Sequence, residues 1–125
     1  MSGSMLIIDD DPRIREIIEI SLEGEWITMS ASSGKEALRA LENMIPDVIL
    51  SDRTLPDIDG TELILKIREN PSLKNIPVIL LTARVQAQEL EAYSQQDFAG
   101  VLSKPFDPMT LSDEINNILS GNSQS

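Results

Sequence analysis

The chain has 125 residues, enough for one domain with its own core and too few for a second. It contains no Cys and no His, which excludes disulfides, thiolate nucleophiles, a Ser-His-Asp triad and zinc held by Cys or His. A net charge of −11 disfavours nucleic acid and anionic membranes as partners and favours cations and basic surfaces.

Residues 1–4 precede the first patterned segment and are set aside as a leading remnant, so the domain is expected over 5–120. Met5–Ile8 is an apolar run that predicts a buried strand, and it ends in Asp9, Asp10 and Asp11. Asp11-Pro12 then reads as a helix N-cap and first helical residue, which explains Asp11 better as a cap than as a ligand. Ile14, Ile17, Ile18 and Leu22 recur at helical spacing and predict a core stripe, with Ile20 off it as a candidate partner contact. Gly24 stops this helix, and Trp26–Ser30 predicts a second strand with Trp26 in packing. Ser33 caps a helix carrying Ala37, Leu38, Leu41 and Met44, with Glu36 at the capping-box position and Pro46 as its end.

Val48–Ser51 is the third apolar run and leads directly to Asp52. The loop Thr54–Gly60 follows, with Asp57 and Asp59 read as turn and cap residues, and then Leu63, Ile64 and Ile67 mark a third helix. Pro77–Leu81 runs into Thr82, a weaker helical pattern covers residues 87–95, and Gly100–Ser103 runs into Lys104-Pro105. Leu111, Ile115, Ile118 and Leu119 mark a last amphipathic helix over Met109–Leu119, followed by a polar tail at 121–125. No run of apolar residues approaches the length of about 20 that a spanning helix needs, and no leader pattern is visible, so a cytoplasmic location is expected.

Apolar runs alternating with helices predict an α/β fold, a five-stranded parallel sheet covered on both faces as a (βα)5 three-layer sandwich. Ligands of such sheets sit beyond the carboxyl ends of the strands, where the strand order reverses. Asp9 and Asp10, Asp52, Thr82 and Lys104 each follow a predicted strand. In the order 2-1-3-4-5, one of the two common orders of doubly wound sheets and taken from them rather than read from the residues, they converge on one edge. Adjacent carboxylates repel, and at least one should hold its proton more tightly than usual. A hard divalent cation relieves that repulsion, and Mg2+ prefers few carboxylates, waters and a phosphate oxygen. Lys104 suits a phosphoryl oxygen as a point charge, and a carboxylate beside the metal can attack phosphorus.

The motifs Leu6–Asp11, Pro46–Asp52, Leu55-Pro56 with Asp59-Gly60, Pro77–Ala83 and Ser103–Phe106 occur in order at these strand ends. In them the chain resembles the receiver domain of two-component response regulators, a flavodoxin-like fold, from Met5 to Leu119. The resemblance implies that Asp52 is the phosphoacceptor. It implies that Asp9, Asp10, Asp52 and the backbone carbonyl of Thr54 hold Mg2+, and that Thr82 and Lys104 contact the phosphoryl group. It implies a cis bond between Lys104 and Pro105. The implied donor is a phosphohistidine on a sensor histidine kinase or phosphotransfer protein. The implied response is a shift of the face formed by the fourth helix, fifth strand and fifth helix, through which a homodimer is an expected assembly. Thr54 and Arg84 are expected to flank the path of an attacking water. The chain departs from the family at Val101, where an aromatic residue that rotates inward often stands, and at Asp97–Gly100, where a Gly-Ala start is commoner.

Two rival readings remain at this level. Asp9–Asp11 carries the D-x-D spacing of haloacid-dehalogenase-type phosphatases, although Pro12-Arg13 does not continue that motif and little chain is left for a cap domain. An interaction module that works without phosphorylation is the other.

Overall fold

The computed structural model describes residues 3–83 and 98–120. Five parallel strands form one sheet: β1 (Gly3–Ile8), β2 (Trp26–Ala31), β3 (Val48–Asp52), β4 (Val78–Thr82) and β5 (Gly100–Ser103), in the order β2-β1-β3-β4-β5. The connections include α1 (Pro12–Ser21), α2 (Gly34–Leu41) and α3 (Gly60–Arg68), the short 3-10 turn Pro71–Leu73, and a C-terminal helix, Leu111–Leu119. The helix expected over 87–95 lies outside the described residues.

Side chains alternate across each strand, and this period of two builds two cores. Leu6, Ile8, Ile49 and Val78 face Ala37, Leu41, Leu63 and Ile67 of α2 and α3. Met5, Ile7, Val48, Leu50, Ile79 and Leu81 face Ile18 of α1 together with Leu111 and Ile115 of the C-terminal helix. β1, β3 and β4 are therefore apolar on both sides, which is why they read as unbroken runs.

The local signals act as their chemistry dictates. The carboxylate of Asp11 accepts from the Arg13 N–H at 2.9 Å, the Ser33 hydroxyl from the Glu36 N–H at 3.1 Å, and the carboxylate of Asp59 from the Thr61 N–H at 2.9 Å. The Glu36 carboxylate does not close the capping box on Ser33. It accepts instead from the backbone N–H and hydroxyl of Ser32, each at 2.9 Å.

Several boundaries and one packing position differ from the sequence reading. β1 starts at Gly3, ahead of Met5, because Ser4 finds a partner in Asp47: its N–H donates to the Asp47 carboxylate at 2.8 Å, and its carbonyl accepts from the Asp47 N–H at 2.9 Å. In α1 the i, i+4 row Ile14, Ile18 and Leu22 packs inward, whereas Ile17 is 38% exposed. α2 ends at Leu41, before Met44, and the C-terminal helix starts at Leu111, after Met109.

Gly60 opens α3 directly beneath the end of β3. Its N–H donates to the Arg53 carbonyl at 2.6 Å, and a Cβ there would stand 2.6 Å from the Asp52 carbonyl oxygen and 2.8 Å from Arg53 Cα. These contacts are backbone and cannot step aside. Replacing a helical glycine by alanine ordinarily gains up to about 1 kcal/mol. Gly60→Ala is expected to reverse that sign and cost about 1–3 kcal/mol in urea unfolding, the usual cost of forcing atoms into packed space.

Candidate functional site

The carboxyl ends of β1, β3, β4 and β5 converge on one edge of the sheet, and four of the sequence-selected side chains meet there. Asp9 follows β1 and is fully buried. Its N–H donates to the Ala31 carbonyl at the end of β2, at 3.1 Å, which fixes its backbone against the neighbouring strand. One oxygen of its carboxylate accepts from the Asp11 N–H at 2.9 Å, and the other from the Lys104 ammonium at 2.8 Å. Asp52, the last residue of β3, is also buried. One of its oxygens accepts from the Thr54 N–H at 3.3 Å, and the other lies 3.2 Å from Lys104 Nζ. One ammonium group is thus shared between two carboxylates. Asp10 is exposed at the rim, and ligand atoms of Asp9, Asp10 and Asp52 all lie within 4.8 Å of one another.

β4 and β5 place the cation. Thr82 ends β4, is buried, and is in register with Ser103 of β5. The Lys104 N–H donates to the Thr82 carbonyl at 2.8 Å, so the ladder continues one residue past β5 and delivers Lys104 beside Thr82. The Lys104–Pro105 peptide is cis. Arg84 lies outside the described residues.

Burial pushes the Asp52 carboxyl above its ordinary value of 3.8; the Lys104 charge opposes this, and the Asp9 charge reinforces it. Burial by itself would lower Lys104, but the hydrogen bond it donates to Asp9 and the charges of Asp9 and Asp52 outweigh it and hold the ammonium above its ordinary value. One acid of the site does hold its proton more tightly, but the main cause at Asp52 is burial, to which the Asp9 charge only adds.

Two supporting contacts were not foreseen. The Arg15 guanidinium donates to the Asp9 carbonyl at 2.6 Å, clamping the β1–α1 turn from one helical turn inside α1. An arginine in the first turns of a helix that follows an acidic strand tip was the available signal. Asp57, read as a turn residue, directs its carboxylate away from its own loop onto the N-terminus of α2. No local pattern announces that contact.

The response regulator receiver domain family matches residues 5–116. The response regulator Rre1 of Synechocystis is 34% identical over 119 residues, which are 93% of this chain and 51% of that protein. The chain spans about half the length of that curated relative and 22% of the DNA-binding transcriptional regulator NtrC of Escherichia coli. The chemotaxis response regulator CheY4 of Vibrio cholerae has the same fold with a TM-score of 0.88 at 27% identity, covering 94% of this chain and 99% of that one. The receiver domain of the sensor histidine kinase PA1611 of Pseudomonas aeruginosa was solved with a magnesium ion coordinated in its active-site cleft. It matches with a TM-score of 0.82 at 26% identity over 96% of this chain and 99% of that one. The haloacid-dehalogenase-type and phosphorylation-independent readings find no support in these likenesses. With the family match running almost the length of the fold and an acidic pocket at its strand tips, the chain belongs to the response regulator receiver domains of two-component signal transduction.

Proposed function

We propose that Asp52 takes a phosphoryl group from a phosphohistidine, assisted by Mg2+, Thr82 and Lys104. The observation that carries this reading is the ammonium of Lys104 lodged between Asp9 at 2.8 Å and Asp52 at 3.2 Å, with Asp10 completing the acidic cluster. Three carboxylates against one ammonium leave two negative charges uncompensated, and the donors are hard oxygens. That set fits one Mg2+, held by Asp9, Asp10, Asp52 and the Thr54 carbonyl. When bound, the ion supplies positive charge against the phosphoryl oxygens.

An oxygen of Asp52 attacks phosphorus. The new O–P bond forms as the N–P bond breaks, and the imidazole leaves with the bonding pair and is protonated. Lys104 follows one phosphoryl oxygen, and the buried Thr82 hydroxyl donates to another. The domain thereby promotes its own phosphorylation, and its own dephosphorylation when water replaces Asp52 as the attacking group. Partners of the whole protein are a histidine kinase or phosphotransfer protein, and a second copy of the chain at the responding face. Val101, half-buried in β5 and paired with Leu80, is β-branched and cannot make an aromatic's inward swing. The backbone bond from Lys104 to Thr82 is then the direct link between phosphoryl contact and the last strand.

The test is intact mass after incubation with acetyl phosphate and Mg2+. The wild type is expected to gain a single phosphoryl group and Asp52→Asn none; equal labelling of both would overturn the assignment. Lys104→Ala is expected to keep Mg2+ binding by calorimetry, because removing a cation leaves the acidic cluster more negative. Its labelling should slow on the order of a hundredfold, as when one charge-stabilising donor is lost.

The same Asp52→Asn variant checks the electrostatics. The folded state holds the Asp52 proton more tightly than the unfolded chain, whose value is near 3.8. The stability this confers is complete below that value and is lost as pH rises through the folded one. At neutral pH the carboxylate is therefore a liability. Asp52→Asn should raise the unfolding midpoint at pH 7, with roughly 4 °C for each 1 kcal/mol at this chain length, and the gain should shrink as pH falls towards 4.

A further inference from the structure

The loop from Thr54 to Asp59 is held at its base and at its tip by different means. At the base, Thr54 and Asp59 form an antiparallel bridge, and the Gly60 N–H donates to the Arg53 carbonyl at 2.6 Å. At the tip, the Asp57 carboxylate spans to α2. One oxygen accepts from the Gly34 N–H and the other from the Lys35 N–H, each at 2.9 Å and more than 20 residues away in sequence. The two backbone N–H groups hold the carboxyl below the ordinary 3.8. These N–H groups belong to the first turn of α2, where no helical carbonyl is available to them. Ser33 already serves the Glu36 N–H, so Asp57 supplies the acceptors that the helix's own cap leaves out.

Gly34 reports how closely the loop is drawn in. A Cβ there would collide with the Ile58 side chain and stand 3.4 Å from a carboxylate oxygen of Asp57. Ile58 itself packs against the core between sheet and helices. The loop tip is therefore seated on α2 by a two-pronged hydrogen bond and by the Ile58 side chain lying in the space a Cβ at Gly34 would need.

We infer that Asp57 is a positioning residue for the metal site. By fastening the loop tip to α2, it fixes the segment that carries the Thr54 carbonyl relative to Asp52. This rests on the proposed role of that carbonyl towards Mg2+. Asp57 touches neither metal nor phosphoryl group. It acts through the backbone of a loop two residues removed from the nucleophile. Releasing the tip leaves the Asp9, Asp10 and Asp52 cluster intact and leaves the Thr54 carbonyl positioned by the loop base alone, through the Thr54–Asp59 bridge and the Thr54 N–H to Asp52. The expected consequence is weaker Mg2+ binding with the chemical step preserved once metal is saturating.

The experiment titrates Mg2+ into the full chain by calorimetry for the wild type, Asp57→Ala, Asp57→Asn and Gly34→Ala. Amide hydrogen exchange at residues 34 and 35 reports whether the tether is present. Asp57→Ala is expected to raise the Mg2+ dissociation constant on the order of tenfold, the lower range for loss of an outer-shell partner, with faster exchange at both amides. Its labelling by acetyl phosphate should return to the wild-type rate at saturating Mg2+. Asp57→Asn keeps one acceptor oxygen and should fall between. Gly34→Ala pushes the loop away from the opposite side and should weaken Mg2+ binding in the same direction. A purely structural role would lower the unfolding midpoint and leave the dissociation constant unchanged. That result, with exchange at residues 34 and 35 accelerated, would overturn the inference. Absence of Mg2+ binding by the wild type would instead overturn the functional reading on which it rests, and this is seen before any variant is compared.

Discussion

A single ammonium group between two buried carboxylates organises this molecule. Asp9 and Asp52 sit at the ends of adjacent strands because β1 lies between β2 and β3, and both are buried. Two such charges side by side repel strongly in a medium of reduced dielectric. Lys104 answers both at once, from two strands away for Asp52 and three for Asp9, and it can do so because the β4–β5 ladder continues to its own N–H. The positions of β3, β4 and β5 relative to β1 thus matter less for the sheet's own hydrogen bonds than for bringing one cation to two anions.

The fold was legible because its strands are simple. β1, β3 and β4 are buried on both faces and leave unbroken apolar runs, while Asp11-Pro12, Ser33 and Asp59-Gly60 mark helix starts with side chains that do cap them. Strand order came from general rules for doubly wound sheets and from the family resemblance, because periodicity contains no information about neighbours. The boundaries that moved did so for long-range reasons. Ser4 joins β1 through Asp47, 43 residues away, and no window around Ser4 reveals that partner. Ile17 fits the helical spacing but sits beside the i, i+4 row that meets the sheet, a distinction that appears only once the crossing geometry is set.

In the site, residue identity was readable and connectivity was not. Asp9, Asp10, Asp52, Thr82 and Lys104 were selected by standing after apolar runs; the side chains of Asp9, Asp10, Asp52 and Lys104 do meet at one edge, and Thr82 adjoins them through its backbone bond to Lys104. The sequence could not say that Lys104 would bridge Asp9 and Asp52 rather than pair with one of them, since that depends on a separation of 95 residues closing to 2.8 Å. Asp57 is the sharper case. Beside Pro56 and near Gly60 its composition is that of a turn, and a turn residue is what it is by backbone. Its carboxylate nevertheless serves α2, because the β3–α3 loop and the start of α2 are brought together on the same side of the sheet.

The two arms of the Lys104 bridge are unequal, and that inequality suits a switch. Asp9 is fully buried, holds the ammonium at 2.8 Å, and would be left as an uncompensated interior charge if the lysine departed altogether. Asp52 is less deeply buried and holds it at the longer 3.2 Å, while each carboxylate keeps one backbone N–H, from Asp11 for Asp9 and from Thr54 for Asp52. Of the two contacts, the one to Asp52 is the less costly to exchange. On the proposed role of Asp52, a phosphoryl oxygen arriving there can recruit the ammonium without stripping Asp9 of its partner. Because the Lys104 backbone is tied to Thr82, any displacement of the side chain acts on the joint between β4 and β5. On the proposed role of Asp52, and with Val101 unable to swing as an aromatic ring would, that joint would carry a chemical change at Asp52 to the last strand.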